Sequence, residues 1–461
     1  MSFHRKSDVA FCRRSWGGCG IVFWRSPGLT LGMQLRLRIQ DKYLLLVIGL
    51  MLSWNTLGLI GAEPKALRQA LEEALRAADQ ARVYAAVEAL SVSLGDRAGV
   101  PEVKDHYIGV PVDAKWIGPE TAQKGFVPYM RQLERMRWWR VGVDPTSLKH
   151  PLRGPASVLG GMVAVCRSGL DGREQTMRWA EEAAAFLMWA QSQGGEGVYP
   201  FPAARAVKND RAMAVAADFL ERAERDGKLG AIVRRGWIVD DLDTGALQFD
   251  NGECGVAMFE FYELTRSTAV LESAKKSAEW ALGRGLVANW NYNSFSVWLL
   301  AKAYAVTGDR RFLEGALRKA LIGVVPGQLR VGPMAGRWMD PHNARPAYHY
   351  IMLRALAQLL SVMPTGDPNR ETIARSLKLG LRARNGEMVR HGVMNKDKAM
   401  EALLLVIRIP VVASEVGRAS LTADALGELA RGVSWELRSG KSPLGPRELG
   451  LFLEYTRHRV P

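Results

Sequence analysis

Thirteen consecutive positions, Trp338-Met339-Asp340-Pro341-His342-Asn343-Ala344-Arg345-Pro346-Ala347-Tyr348-His349-Tyr350, hold two imidazoles, a guanidinium, a carboxylate and two phenols. These are the groups that β-elimination from a uronate uses. A base (His342, His349 or Tyr348) takes the proton α to the sugar carboxylate, and a cation (Arg345) neutralises that carboxylate and the charge developing on it. Trp338, Asp340 and Asn343 would line the adjoining subsite. The same residues also have a structural use, in which Arg345 and Asp340 pair to brace the loop, Pro341 and Pro346 stiffen it, and the histidines bond internally. Asp340, His342 and His349 match no established metal-ligand spacing, so neither a metal nor a cofactor is expected there.

A second cluster places five carboxylates in the fourteen residues from Asp240 to Glu253. Glycoside hydrolysis needs two, one protonated and one ionised, across the scissile bond, and Asp250 and Glu253 are the better placed for that work. Asp240, Asp241 and Asp243 look more like a solvated or calcium-binding turn. The structural use here is a helix start, with Asp250 or Asn251 as the cap and Glu253 in the first turn. Asn289-Trp290-Asn291-Tyr292-Asn293, and Tyr199 in Val198-Tyr199-Pro200-Phe201, combine aromatic faces with amides, which suits stacking on pyranose rings and bonding to hydroxyls. Their structural use is a cap at Asn293 with packed rim aromatics. Lys396 or Lys398, in Asn395-Lys396-Asp397-Lys398, is placed to grip a carboxylate, unless the segment is a solvated capping turn.

The elements that must position these residues read as almost all helix. Apolar residues recur at i, i+3, i+4 and i+7 from Pro64 to Tyr455, and no alternating run is long enough to build a sheet. Asn251–Leu282 aligns with Asn293–Val324 at a shift of 42 residues, pairing Tyr262 with Tyr304, Thr265 with Thr307 and Ala274 with Ala316, so one unit is a helical hairpin. Within each unit an apolar helix (295–305) precedes an amphipathic one (311–321). The order returns at 155–168 with 173–191, 252–264 with 270–282, and 346–362 with 370–383. An all-apolar helix must be buried and an amphipathic one covers it, which describes an inner ring inside an outer ring. Outer-to-inner loops then all open at one end. Those at 194–210, 286–294, 325–350 and 385–400 are long and chemically dense, whereas the inner-to-outer turns are short. Residues 227–251 fit this parity only if 227–235 forms a short outer helix.

This hairpin repeat and loop asymmetry resemble the α/α-toroid proteins of the six-hairpin glycosidase type, whose exported members include glycoside hydrolases and uronate-polysaccharide lyases. The resemblance covers most of 63–461 and implies an all-α toroid of about six hairpins acting on a polysaccharide. It is architectural, so no catalytic role is carried over from it. Terpene cyclases and prenyltransferases, the other toroid group, use a DxDD motif or zinc ligands, and Asp240-Asp241-Leu242-Asp243 differs in order.

At 461 residues, 48% hydrophobic and 24% charged, the chain is neither disordered nor fibrous, and 4 cysteines are too few for a disulfide scaffold. From Met33, a basic segment (Arg36, Arg38, Lys42) leads into an apolar stretch, Tyr43 to Gly61, ending in small residues, which is the order of a secretory signal. Translation is therefore expected to start at Met33, with 1–32 untranslated and 33–62 a signal peptide or an uncleaved membrane anchor. Removing residues 1–62 lowers the net charge of +15 to about +9. The basic residues that remain are dispersed, which argues against nucleic acid as a partner. Cys166 and Cys254 are left, either as a disulfide or as two buried thiols. The reading is an exported protein, periplasmic, extracellular or envelope-anchored, acting on a polysaccharide, by elimination on an acidic glycan or by hydrolysis. A non-catalytic toroid that binds a glycan or a protein is the alternative.

Overall fold

The chain folds into seventeen α-helices, three short 3-10 helices and three two-residue strands among the described residues. The computed structural model describes residues 63–458 apart from 103–106, 112, 116, 137–138, 140–143, 146–147, 149–150, 170–171, 204–210, 394–395 and 441–443. All belong to one unit, Trp54–Pro461. The expectations for 1–32 and 33–62 lie outside the described residues. In chain order the elements are α1 (Pro64–Arg76), α2 (Gln80–Leu94), α3 (Pro119–Met136), α4 (Arg153–Ser168), α5 (Arg173–Gly194), β1 (Phe201–Pro202), α6 (Arg211–Arg225), α7 (Leu229–Ile232), β2 (Val233–Arg234) and β3 (Trp237–Ile238). There follow α8 (Ala246–Thr265), α9 (Thr268–Gly283), α10 (Trp290–Thr307), α11 (Arg310–Gly323), α12 (Pro346–Val362), α13 (Arg370–His391), α14 (Lys396–Arg408), α15 (Pro410–Val416), α16 (Thr422–Arg438) and α17 (Pro446–His458).

Helices α4, α8, α10, α12, α14 and α17 pack each against the next, and α17 packs back on α4, so six helices close a ring. Five of them are covered by the outer helix that follows in sequence (α5, α9, α11, α13 and α16), while α17 is covered by α3 from the other end of the chain. The fold is an α/α toroid of six hairpins. Its physical basis is the two helix types. Phe295, Val297, Trp298, Leu299, Leu300 and Ala301 leave α10 no solvent face, whereas α11 buries Phe312, Leu313, Ala316 and Ala320 and exposes Arg310, Arg311 and Arg318. At the seam between the chain ends α4 and α17 meet backbone to backbone. A Cβ on Gly450 would lie 2.8 Å from the Gly161 Cα, so only glycines allow this approach.

Four expectations need correction. The parity of hairpins holds without an outer helix at 227–235, because everything from 195 to 245, including α6, α7 and a small sheet of order β1-β3-β2, lies within one outer-to-inner connection. That sheet was not expected. Its strands pair Phe201 with Ile238 and Val233 with Ile238, too short a run to show alternation in sequence. The helices also reach further than the loops suggested: 290–294, 346–350, 385–391 and 396–400 are helical. Cys166 and Cys254 are buried free thiols, so the disulfide alternative is excluded. Among the described residues no helix is long and apolar enough to cross a membrane.

Candidate functional site at the toroid mouth

The outer-to-inner loops meet at one end, the mouth. The Asn291 amide lies 3.4 Å from Asn343 Oδ1, joining 286–294 to 333–350. The Tyr199 amide donates to Asn251 Oδ1 (3.1 Å), and Lys398 Nζ reaches Glu253 (3.2 Å). Tyr292, Tyr348, Lys398 and Glu448 are each the third residue of an inner helix.

Below the rim the axis is filled by a closed ion network. Arg354 donates to Glu253 (2.9 Å) and pairs with Glu401; Arg447 pairs with Glu401 and donates to Glu260 (2.9 Å); Lys398 bridges Glu253 and Glu448 (3.2 and 3.4 Å). The Arg354 guanidinium lies 3.6 Å from the Trp298 ring centroid, a cation–π contact. Burial by itself would raise the Glu253 carboxyl, but Arg354, Lys398 and Arg447 around it hold it far below the usual carboxylate range. Glu253 is therefore a fixed anion, which could serve only as the ionised member of a hydrolytic pair, and at 4% exposed within this network it presents no open face to a substrate at the mouth.

Asp250 lies inside α8, not at its mouth, and is fully buried. Arg153 grips it through Nε (3.1 Å) and Nη2 (2.8 Å), while the guanidinium stacks 3.8 Å over Phe249. Burial pushes the Asp250 carboxyl upward against the opposing Arg153 charge. Beside them Tyr292 is half-buried. Burial first, then Tyr348, pushes its phenol to about 12, so it keeps its proton at neutral pH. Asn251 is no cap either: α8 starts at Ala246, and Asp241 Oδ2 accepts the Leu247 amide (2.8 Å).

The 338–350 segment divides into two groups. His342, Arg345 and Tyr348 stay partly exposed and together: His342 and Tyr348 rings are 5.1 Å apart, and Arg345 lies 5.7 Å from the Tyr348 centroid. Arg345 Nη2 also donates to Glu102 (2.8 Å), and Asp340 pairs with Arg68 rather than Arg345. His349 is completely buried. Arg384 Nε donates to its Nδ1 (2.8 Å), and burial, then Arg384 and Arg337, drive its pKa well below the ordinary value. It cannot reach a substrate at the mouth, so its expectation as a base is corrected.

Most of the expected sugar contacts are structural. Trp290 (1% exposed), Tyr199 (0%) and Trp338 (0%) have no face left for a pyranose. Trp338 donates to the Val324 carbonyl (2.8 Å), and Trp290 packs on Gly327. Asn293 accepts the Val287 amide and donates to the Val287 and Gly323 carbonyls; Asn251 does the same between Tyr199 and the Ser277 carbonyl. Each fastens an inner helix to a loop and to an outer helix, Asn293 at the last residue of α11 and Asn251 within α9. Asn289 caps α10, accepting the Asn291 and Tyr292 amides, and Asn291 and Asn343 are buried. Lys396 begins α14, and its side chain lies outside the described residues. Asp240 pairs with Arg284 (3.3 Å), Asp241 holds the start of α8, and Asp243 is exposed. No three His, Cys, Asp or Glu side chains gather as a metal set among the described residues. Sequence reasoning missed Arg153, Arg354, Glu401 and Arg447. Tyr292 and Lys398 were in the motifs it singled out, and Lys398 does grip carboxylates, those of Glu253 and Glu448; their shared register with Tyr348 is visible only once helix starts are known.

No family model matches the chain, and no curated protein sequence does. Among solved structures it is similar to a glycosyl hydrolase family 88 protein from Bacteroides vulgatus (TM-score 0.46, 12% identity, covering 74% of this chain and 98% of that one). It is also similar to a polysaccharide lyase (TM-score 0.43, 12% identity, 73% and 96%). At these values the likeness is one of helical arrangement and not of chemistry.

Proposed function

We propose that the mouth binds an acidic polysaccharide and cleaves it by β-elimination. The observation that carries this reading is the partly exposed trio His342, Tyr348 and Arg345, in which a base and a phenol stand beside a cation that already holds a carboxylate. Arg345 takes the uronate carboxylate and stabilises the enolate that forms when the proton leaves C5. His342 or Tyr348 accepts that proton, the C4=C5 double bond forms, and the C4–O4 bond breaks. Tyr292, a phenol that stays protonated, supplies the proton to the departing O4. Hydrolysis would need Asp250 and Glu253 to face a substrate as the acid and the anion, and both side chains are buried against their arginine partners. We further infer export of the chain from the basic-then-apolar order of 33–62, with a polysaccharide as the partner.

The test is incubation of the 63–461 chain with polyuronates and neutral polysaccharides, recording ultraviolet absorbance of unsaturated ends together with reducing ends. Arg345→Ala should lower elimination by roughly a hundredfold or more, the scale of losing one charge-stabilising donor, while leaving the circular-dichroism melt unchanged. Undiminished unsaturated product in Arg345→Ala overturns the assignment. Reducing ends without absorbance would establish hydrolysis, and neither product on any glycan would leave only a binding role.

A further inference from the structure

Residues 98–102 and 107–108 bond to two of the mouth loops and form a strap at the rim. Arg337 donates to the Gly99 carbonyl (2.9 Å), the Glu102 amide donates to the Pro341 carbonyl (3.0 Å), Tyr107 bonds Glu387 (2.7 Å), and Ile108 bridges to Val393. From this strap Glu102 turns its carboxylate onto the candidate site: Oε2 lies 2.8 Å from Arg345 Nη2 and 3.7 Å from His342 Nδ1. Its sequence distance of 243 residues from Arg345 makes this a tertiary contact with no local cause.

Three features suit a place-holder better than a brace. The pair is monodentate, one Glu102 oxygen on one guanidinium nitrogen, and the buried Arg345 Nε beside it has no acceptor. An arginine set to bind a planar carboxylate offers two parallel donors, and here one of them is unused. Glu102 is also half exposed, so the contact is weak and replaceable. Finally, the strap is held by other bonds, through Gly99, the Glu102 backbone and Ile108, and these do not depend on the Glu102 side chain.

We propose that Arg345 and His342 form a carboxylate subsite which Glu102 fills in the resting chain, and that an entering carboxylate ligand displaces it. The inference rests on the mouth being the functional site, and it makes Glu102 a determinant of selectivity: only a ligand that presents a carboxylate gains what Glu102 gives up. Neutral sugars leave the strap's carboxylate in place.

The experiment titrates trifluoroacetate, a carboxylate probe independent of any glycan, into the full chain and follows its fluorine resonance. Glu102→Gln, which keeps the backbone bond to Pro341, should bind the probe about fivefold more tightly than wild type, the worth of releasing an exposed ion pair. Glu102→Gln/Arg345→Gln should lose that gain. Glu72→Gln, which makes the same change of charge on α1, should leave affinity at the wild-type value. Equal affinity in wild type and Glu102→Gln, or an equal gain in Glu72→Gln, overturns the proposal, even if uronate elimination is observed. If the predicted pattern appears while no glycan is cleaved, the subsite stands and the elimination reading fails.

Discussion

Replacing Arg354 with Met tests whether the axis is a structural plug. Arg354 is 1% exposed, holds Glu253 and Glu401 together and lies flat on Trp298, so its removal leaves two buried carboxylates short of a cation. Glu253 keeps Lys398 and Glu401 keeps Arg447, which places the loss toward the lower end of the range for breaking a buried pair, about 3 kcal/mol at neutral pH. The pH dependence follows from the direction of the Glu253 shift. Its folded pKa lies below the unfolded value, so its ion pairs contribute fully above about pH 5 and are lost as pH falls through the folded pKa. The difference between wild type and Arg354→Met should therefore be largest at neutral pH and narrow in acid, because below about pH 5 the unfolded chain takes up a proton that Glu253 in the folded wild type does not. Urea unfolding followed by circular dichroism at about pH 7 and about pH 3.5 measures it. A loss under about 1 kcal/mol at neutral pH, or one that grows in acid, would refute the reasoning. Adding Glu253→Gln to Arg354→Met should cost less than the sum of the two single changes, because they share one interaction.

Asn293→Ala removes the acceptor of the Val287 amide and the donor to the Val287 and Gly323 carbonyls, all around a fully buried side chain. A loss of about 2 kcal/mol in urea unfolding is expected, with the trifluoroacetate affinity unchanged; a change in affinity without loss of stability would restore Asn293 as a ligand contact. Lys319 is buried under Arg284 and Arg318, and burial first, then those charges, lower its pKa to about 8. A depressed lysine means the unfolded chain binds the extra proton between about pH 8 and the unfolded value near 10.4, so stability should rise by roughly 3 kcal/mol across that window. Lys319→Met should abolish the rise, and an unchanged pH profile would show that another group causes it.

The asparagines also show what kind of signal misled. Asn251 and Asn293 occupy the same place in the 42-residue repeat, and both turn out to tie an inner helix to a loop and an outer helix. A residue that recurs with the repeat serves the repeat. Tyr292 and Tyr348, by contrast, share a helix register but draw their chemistry from neighbours on other hairpins.

Helix content, hairpin order, the two helix types and the convergence of the loops were all legible in the sequence, because each depends on periodicity within a few turns of chain. Burial and charge pairing were not. Glu253 and Asp250 lie three residues apart in one helix, yet one faces Arg354 and Lys398 from across the closed ring and the other faces Arg153 from the adjacent α4. His349 lies four residues from Arg345 but turns inward onto Arg384, while Arg345 meets Glu102 across 243 positions. Ring closure also decided which aromatics are walls and which are rim, since Trp290 and Trp338 lose their faces only when neighbouring hairpins pack on them. Local pattern sets what each helix must bury, and the closed toroid alone sets which charges meet on its axis and which remain free to meet a ligand.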